Sequence, residues 1–318
     1  MADEALKKLW KNEYFQTAVT IALIFVIVFG FYFGSQIILG SEYPALAVAS
    51  GSMLPTLNIG DLIIVQKVDP AKITADKFTG DVLVFRDPRN PAELIVHRAV
   101  KIERVGSYFL ITTLGDNMYG EKDQFSPWNS SLLIGKVVAR IPYIGNLPLF
   151  FHSERNMYVF LVIILIILAV LMLPFGFSGE EKPREEKKLF WKIDLSLIYF
   201  FVTNFLIIGL LIFSLWGSFT FWQPGASPPQ ATIFGMYADL NFHENFSSEA
   251  YLSQGFMTYK IDCQIGGGTR LGVPAFSWFQ FLILVLVLFD AWKLVNFVKT
   301  WKSKKAIGRL MEFCATLG

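Results

Sequence analysis

Residues 17–39 read TAVTIALIFVIVFGFYFGSQIIL, an apolar stretch without a charged side chain. A transmembrane helix needs about 20 consecutive apolar residues, and this stretch reaches that length. Residues 45–47 nearby (ALA) have the small-x-small pattern of a signal-peptide cleavage site. However, the apolar core of a cleaved signal peptide spans only about 7 to 15 residues. We therefore interpret residues 17–39 as an uncleaved membrane anchor.

The composition of the chain is that of a membrane protein. Hydrophobic residues make up 53 % of the 318 residues and charged residues only 17 %, against roughly 25 % charged residues in typical soluble proteins. The mean hydropathy is +0.47. These values exclude a disordered chain, a collagen-like chain and a small disulfide scaffold. The net charge of +2 provides no basic surface for nucleic acid, so we predict no nucleic-acid partner.

Three later apolar stretches are also long enough to cross a membrane, which makes the lipid bilayer a predicted partner. They comprise residues 157–177, 195–222 and 275–298. Together with the anchor they predict four transmembrane α-helices.

The distribution of lysine and arginine predicts the orientation, because cytoplasmic loops of membrane proteins are enriched in these residues. With the N-terminus inside, the cytoplasmic basic residues are Lys7, Lys8, Lys11, Lys182, Arg184, Lys187, Lys188, Lys192, Lys293, Lys299, Lys302, Lys304, Lys305 and Arg309. The external loop 223–274 carries only Lys260 and Arg270. We therefore predict a multi-pass protein of the cell membrane with both termini in the cytoplasm.

This topology divides the chain into consecutive segments. They are a cytoplasmic N-terminus (1–16), the anchor (17–39), an extracytoplasmic domain (40–156), a second span (157–177), a charged cytoplasmic connector (178–194), a third span (195–222), an external loop of unknown role (223–274), a fourth span (275–298) and a basic cytoplasmic tail (299–318).

The segment 40–156 has the pattern of a β domain. Runs of β-branched and aromatic residues alternate with turn signals rich in glycine, proline and aspartate. The predicted strands lie within residues 61–68, 81–86, 94–104, 108–114 and 134–141. Closely spaced strands without helices between them indicate a mostly antiparallel β domain, in the form of a small open barrel. We find no cysteine or histidine cluster with metal-ligand spacing, and we predict neither a metal nor a cofactor.

Three side chains of this domain could carry out nucleophilic catalysis. Ser52 lies in the string SGSMLPT (50–56), His97 in VHR (96–98) and Asp116 in GDN (115–117). A serine hydroxyl is a weak nucleophile that needs an adjacent base. Histidine can accept its proton near neutral pH, and a carboxylate can hold the imidazole in the required tautomer.

In their order behind an N-terminal anchor, these strings resemble the motifs of type I signal peptidases. Residues 134–138 (IGKVV) and 141–145 (IPYIG) continue the resemblance, which covers roughly residues 15–175. In the bacterial branch of this family a lysine of the third motif is the general base. Here His97 occupies that place, which resembles the archaeal and endoplasmic-reticulum branch, the serine–histidine type of peptidase family S26B.

The resemblance implies a role for each candidate residue. Ser52 would be the nucleophile, His97 the general base and Asp116 a supporting acid. The Ser50 hydroxyl and the backbone N–H of Ser52 would form the oxyanion hole. The archaeal and endoplasmic-reticulum branch has a further acidic residue shortly after the GDN motif. We favour Asp123 for this position, and the spacing leaves Glu121 open.

The implied function is that of a serine endopeptidase that removes N-terminal signal peptides from secreted preproteins at the outer membrane surface. Residues 178–318 match no pattern that we recognise. We interpret them as a docking module for a translocon or an accessory membrane subunit, or as an added rim over the active site. Two alternatives remain open: a catalytically idle relative acting as a membrane scaffold, and a dedicated protease of related fold that cleaves one partner.

Overall fold

The computed structural model describes residues 13–152 and 195–315. The α-helices are α1 (Glu13–Leu39), α2 (Asn146–His152), α3 (Leu195–Trp216), α4 (Met236–Glu244) and α5 (Trp278–Ala315). The strands are β1 (Ala45–Ala47), β2 (Leu62–Gln66), β3 (Val82–Arg86), β4 (Leu94–Val105), β5 (Tyr108–Leu114), β6 (Trp128–Asn129), β7 (Leu133–Ile141), β8 (Ser218–Trp222), β9 (Gln230–Phe234), β10 (Glu249–Gly255), β11 (Thr258–Ile265), β12 (Gly268–Arg270) and β13 (Ala275–Phe276).

Within the described ranges, three helical segments are long and apolar enough to cross a membrane. They are Phe15–Leu39 in α1, Leu197–Trp216 in α3 and Trp278–Lys299 in α5. Helix α1 ends where the anchor was predicted to end, because Gly40 adopts a φ of +61° that favours glycine and stops the helix. The predicted span 157–177 lies outside the described residues.

The structure corrects the bounds of the third and fourth predicted spans. Helix α3 stops at Trp216, and residues 218–222 form β8, which pairs with β9. The sequence SFTFW (218–222) alternates small polar and aromatic residues, which suits a strand better than a helix. Residues 275–276 form β13, so α5 begins only at Trp278 and continues beyond the predicted end to Ala315.

The mostly β domain is confirmed, and each predicted run overlaps a strand. Strand β3 lies between β4 and β7 and is buried on both faces. Successive side chains of a strand point to opposite faces. Val84 therefore joins one core with Ile63, while Phe85 joins another and stacks on Trp128. This central strand positions β4, which carries His97.

The stretch predicted as an external loop of unknown role is folded and joins the same sheet as residues 40–156. In the described part of the chain the strand order is β10-β11-β13-β7-β3-β4-β5-β6, with β2 attached to β7, β1 to β2 and β12 to β11. Strand β13 pairs in parallel with β7 through Ala275 and Arg140. Val273 is buried in the core that also contains Val84. The sequence did not predict that strands of the two parts pair in one sheet, because these parts are far apart in the chain.

A buried arginine links the two parts of the sheet. The Arg140 guanidinium donates to the Asp61 carboxylate at 2.7 Å and also to that of Asp239 in α4. Tyr259 and Asn58 each donate to Asp239 at 3.0 Å. Burial alone would lower the pKa of Arg140, but the carboxylates of Asp239 and Asp61 raise it well above its usual value. The guanidinium therefore stays charged inside the protein.

Replacing Arg140 by methionine should strongly destabilise the fold, because two buried carboxylates lose their cation. We expect the free energy of unfolding to fall by about 3–5 kcal/mol. The same change at the exposed Arg104 is the control and should cost less than about 0.5 kcal/mol. Urea unfolding of the purified proteins in detergent micelles measures both values. Equal losses in the two variants would contradict the role of the buried cluster.

His243 in α4 makes the stability of this region dependent on pH. Its ring is 2 % exposed, and Nδ1 donates to the Asp239 carbonyl at 2.8 Å. Burial lowers the pKa of His243; the Asp239 carboxylate opposes this shift and Arg140 adds to it. A histidine with a lowered pKa binds fewer protons in the folded than in the unfolded chain. Its contribution to stability is therefore present above a pH of about 6.5 and is lost as the pH falls.

We expect the wild-type melting temperature to fall more than that of His243→Asn between about pH 7.5 and about pH 5.5, because the variant lacks this titrating group. Thermal unfolding in micelles at the two pH values gives both differences. An equal fall in the two proteins would show that His243 does not cause acid destabilisation.

Candidate active site

Ser52 lies in a short 3₁₀ turn, Gly51–Met53, that follows β1. The neighbouring Met53 is only 1 % exposed and anchors the turn in the core. The Asn117 backbone N–H donates to the Ser52 carbonyl at 2.9 Å, and its side-chain amide donates to the Gly51 carbonyl at 3.0 Å. These contacts fix the backbone of Ser52 and leave its side chain partly exposed.

His97 on β4 lies between a hydroxyl and a carboxylate. Its Nε2 is 3.1 Å from Ser52 Oγ, and its Nδ1 is 2.7 Å from Asp123 Oδ2. The ring is 5 % exposed and stacks on Phe125 with the centroids 6.3 Å apart. When Nδ1–H donates to the carboxylate, Nε2 is the acceptor that faces the serine hydroxyl.

The carboxylate oxygen of Asp123 that contacts His97 is also held by Thr113. The Thr113 hydroxyl donates to Asp123 Oδ2 at 2.8 Å, and the Asp123 N–H donates to the Thr113 carbonyl at the same distance. The Trp128 indole N–H donates to the Thr113 hydroxyl at 3.1 Å. Asp123 is 2 % exposed, whereas Glu121 is exposed. The structure thus brings Asp123, and not Glu121, to the imidazole.

Asp116 lies on the other side of β4, against Arg98 instead of His97. Arg98 donates to its two carboxylate oxygens at 2.8 and 2.7 Å, and the Thr56 hydroxyl donates to it as well. Burial would raise the pKa of Asp116, but Arg98, followed by Arg270 and Thr56, outweighs this effect and keeps the pKa below its usual range. The expectation that the GDN aspartate supports the imidazole directly is therefore corrected by the geometry.

The Ser50 hydroxyl lies 3.5 Å from Ser52 Oγ and is exposed. The backbone next to Ser50 is held by the C-terminal part of the chain, because the Ser227 N–H donates to the Ala49 carbonyl at 2.8 Å. The Ser50 hydroxyl is therefore close enough to Ser52 Oγ for both to contact the same group of a ligand.

A cavity of about 420 Å³ opens beside Ser52 and His97. Its further lining includes Ala47, Val48, Ala49, Leu94, Val96 and Phe125. The wall combines apolar side chains with polar groups such as Arg89 and Gln124, and Ala47 and Ala49 lie on its apolar part. No group of three histidine, cysteine, aspartate or glutamate residues that could hold a metal ion occurs within residues 13–152 and 195–315.

Sequence reasoning missed two residues that hold the site together. Thr113 orients Asp123, and Arg98 neutralises Asp116. Arg98 directly follows His97 in the sequence, so its position next to a candidate base was a usable signal. Thr113 lies in a strand rich in β-branched residues. The sequence there does not distinguish a threonine with a polar role from one that only favours a strand.

A hydroxyl, an imidazole and a carboxylate in hydrogen-bonding sequence have the arrangement found in serine hydrolases. The family model described as "Signal peptidase, peptidase S26" matches residues 12–102 of the chain. The signal peptidase complex catalytic subunit sec11 of Dictyostelium discoideum is 29 % identical over 167 residues, which is 50 % of this chain and 89 % of that protein.

The signal peptidase complex catalytic subunit SEC11 of Colletotrichum graminicola is 32 % identical over 129 residues, covering 39 % of this chain and 73 % of the relative. Signal peptidase I W of Bacillus subtilis is 39 % identical over 75 residues, 24 % of this chain and 37 % of that protein. This protein is thus a serine endopeptidase. It belongs to the signal peptidase family, peptidase S26, and within it to the branch of the endoplasmic-reticulum catalytic subunits.

We expect Asp123→Asn to lower kcat for peptide hydrolysis by about 10⁴, the cost of the corresponding change in a serine-protease triad, because the amide no longer holds the imidazole in the required tautomer. Glu121→Gln is the matched control, since its side chain is exposed, and should retain kcat within about twofold. Steady-state hydrolysis of a peptide in micelles measures both. A large loss in the Glu121 variant with little loss in the Asp123 variant would reverse the assignment.

Proposed function

We propose that the protein is a membrane-bound signal peptidase that removes N-terminal signal peptides from secreted preproteins. Ser52 is the nucleophile, His97 the general base and Asp123 the carboxylate that orients His97. The observation that carries this proposal is the pair of contacts at His97, 3.1 Å from Nε2 to Ser52 Oγ and 2.7 Å from Nδ1 to Asp123 Oδ2. A scaffold without catalytic activity would not need this alignment.

The first half of the reaction forms an acyl-enzyme. His97 Nε2 accepts the hydroxyl proton as Ser52 Oγ attacks the carbonyl carbon of the scissile peptide bond. The tetrahedral intermediate then collapses, and the imidazolium of His97 gives its proton to the nitrogen of the leaving amine. Asp123 stabilises the imidazolium without accepting its proton.

The second half releases the signal peptide. A water molecule attacks the Ser52 ester while His97 Nε2 accepts one of its protons. Collapse of this intermediate breaks the ester bond, and the proton returns from His97 to Ser52 Oγ. The enzyme is then ready for another substrate.

Ser50 and the backbone of Ser52 stabilise the negative charge that develops on the carbonyl oxygen. The Ser50 hydroxyl, 3.5 Å from Ser52 Oγ, can turn towards this oxyanion, and the Ser52 N–H is the second donor. Removing one such donor typically costs about 10²–10³ in rate. Asp116 acts at a distance in this scheme: its ion pair with Arg98 supports the turn next to Ser52 and transfers no proton.

The substrate lies in the cavity beside Ser52 as an extended chain. The pairing of β4 with β5 begins at Arg98, whereas residues 94–97 pair with β3, so one edge of this part of β4 faces the cavity. A peptide can add its backbone to such an edge. Type I signal peptidases accept small residues at the first and third positions before the cut, and the apolar part of the wall with Ala47 and Ala49 suits them.

The domain 40–156 lies outside the cytoplasm in this proposal, and both termini lie inside. The three apolar helices support a multi-pass protein, and the charge bias of the sequence supports the orientation. The stretch 157–177 supplies a fourth span. Ser52 follows the end of α1 closely, which keeps the nucleophile near the outer membrane surface, where a signal peptide leaves the bilayer. Because its relatives are named as subunits of a signal peptidase complex, a translocon or an accessory membrane subunit is a proposed partner.

The deciding experiment compares the wild-type protein with Ser52→Ala in micelles, using a preprotein with an Ala-x-Ala cleavage site and mass spectrometry of the products. We expect the wild type to cut after the second alanine and Ser52→Ala to show no cleavage above background, because the nucleophile is absent. Ser107→Ala, at an exposed turn, is the control and should cut like the wild type.

Equal cutting by wild type and Ser52→Ala would refute Ser52 as the nucleophile. If folded wild-type protein cleaved a single partner protein and no preprotein, the enzyme would be a dedicated protease. Absence of any cleavage would favour the idle scaffold.

A further inference from the structure

The segment around Arg270 is anchored firmly next to the active-site domain. Strand β12 pairs with β11, with Arg270 opposite Cys263. The Leu271 N–H then donates to the Phe78 carbonyl at 3.0 Å, and the Gly272 N–H donates to Asp262 Oδ1 at 2.8 Å. Three consecutive residues of the C-terminal part thus have fixed backbones where they reach residues 40–156.

Arg270 contacts Asp116, the central residue of the GDN turn. Its Nη1 donates to the Asp116 carbonyl at 3.1 Å, and its Nε lies 3.9 Å from Asp116 Oδ1. The side chain of Arg270 is only 14 % exposed. The carbonyl of the next residue, Leu271, accepts from Arg98 Nη2 at 3.0 Å. The C-terminal part therefore holds both members of the Asp116–Arg98 ion pair.

The GDN turn in turn packs directly on the reacting groups. Asn117 donates to the Ser52 carbonyl. A Cβ at Gly115 would lie 2.7 Å from the Ser52 carbonyl oxygen and 3.0 Å from His97 Nε2, so the turn has no space to shift towards the site. Arg98 is the next residue after His97 on β4. A displacement of Asp116 is consequently transmitted to both Ser52 and His97.

We propose that Arg270 is a positioning residue for peptide cleavage, because through Asp116 it fixes the GDN turn that keeps Ser52 within hydrogen-bonding distance of His97. The proposal rests on the proposed function, in which these two residues react. Arg270 contacts Asp116 and acts through it. Its cation also adds to the charge of Arg98 in balancing the buried carboxylate, which a neutral residue would not do.

This role predicts an effect on turnover that exceeds the effect on substrate binding. Displacement of reacting groups by about 1 Å can cost about 10²-fold in rate. We expect Arg270→Ala and Arg270→Gln to lower kcat about 10-fold or more, with KM within about twofold of the wild type. Arg270→Lys keeps the cation and a donor and should recover most of kcat. Thr269→Ala is the matched control, because this neighbouring side chain is exposed and bonds only Gln264 within the described residues.

The experiment measures kcat and KM for preprotein cleavage in micelles for all five proteins, together with their melting temperatures. Ser52→Ala is run in the same series: cleavage by that variant would refute the proposed function itself, independently of Arg270. With Ser52-dependent cleavage established, wild-type kcat in Arg270→Gln would overturn the positioning role. A raised KM with unchanged kcat would also overturn it, in favour of substrate binding.

The Gln and Lys variants separate positioning from folding. If Arg270→Ala does not give a cooperative thermal transition, the comparison of Arg270→Gln with Arg270→Lys decides whether the positioning role holds. Equal melting temperatures with a lower kcat in Arg270→Gln than in Arg270→Lys support the proposal. Equal kcat values in these two variants overturn it, even if both proteins melt earlier than the wild type.

Discussion

The contact on which the rest of the structure depends is the buried guanidinium of Arg140 between Asp61 and Asp239. A charge in the protein interior is tolerated only when partners of opposite charge compensate its lost hydration. One of the two carboxylates precedes β2 in the N-terminal part, and the other lies in α4 of the C-terminal part. The charge balance is therefore complete only when both parts have folded together.

The same ion cluster also fixes the chain segment that follows Ser52. Asn58 donates its side-chain amide to Asp239, and its backbone N–H donates to Asp61 Oδ2 at 3.0 Å. Asn58 lies between the turn that holds Ser52 and strand β2. The segment from Ser52 to Asn58 is thus fixed at Asn58 by the ion cluster and at Ser52 by the GDN turn. The serine is held between two polar anchors as well as by the apolar core.

Strand geometry explains why two acidic residues in one loop have different partners. His97 and Arg98 are consecutive on β4, and consecutive side chains of a strand point to opposite faces. Asp123 reaches the face of His97, and Asp116 reaches the face of Arg98. An aspartate in a short loop motif does not specify which face of the strand its side chain will reach. This is why the sequence indicated both acids for the histidine and the structure separated them.

Five strands of residues 40–156 could be predicted, because β-branched runs are local signals, whereas the short strands β1 and β6 were missed. The approach of Ser52 to His97 was implied by the resemblance of their motifs to those of type I signal peptidases. The end of α3 was harder to place, since Trp216 is followed by more aromatic residues and only their alternation marks a strand. The contact of Arg270 with Asp116 has no local signal at all. It depends on a sheet that joins distant parts of the chain, and such pairing is determined by tertiary packing.

The parallel pairing of β13 with β7 sets an order of events during synthesis. Arg140 is made early, but its strand neighbour Ala275 and its second carboxylate, Asp239, emerge much later. Until then the nascent chain carries an open strand edge and a partly compensated arginine, and closing this long loop costs entropy. The sheet cannot be completed before the chain has been synthesised as far as β13. Folding of the domain that carries Ser52 therefore depends on residues made more than 100 positions after it.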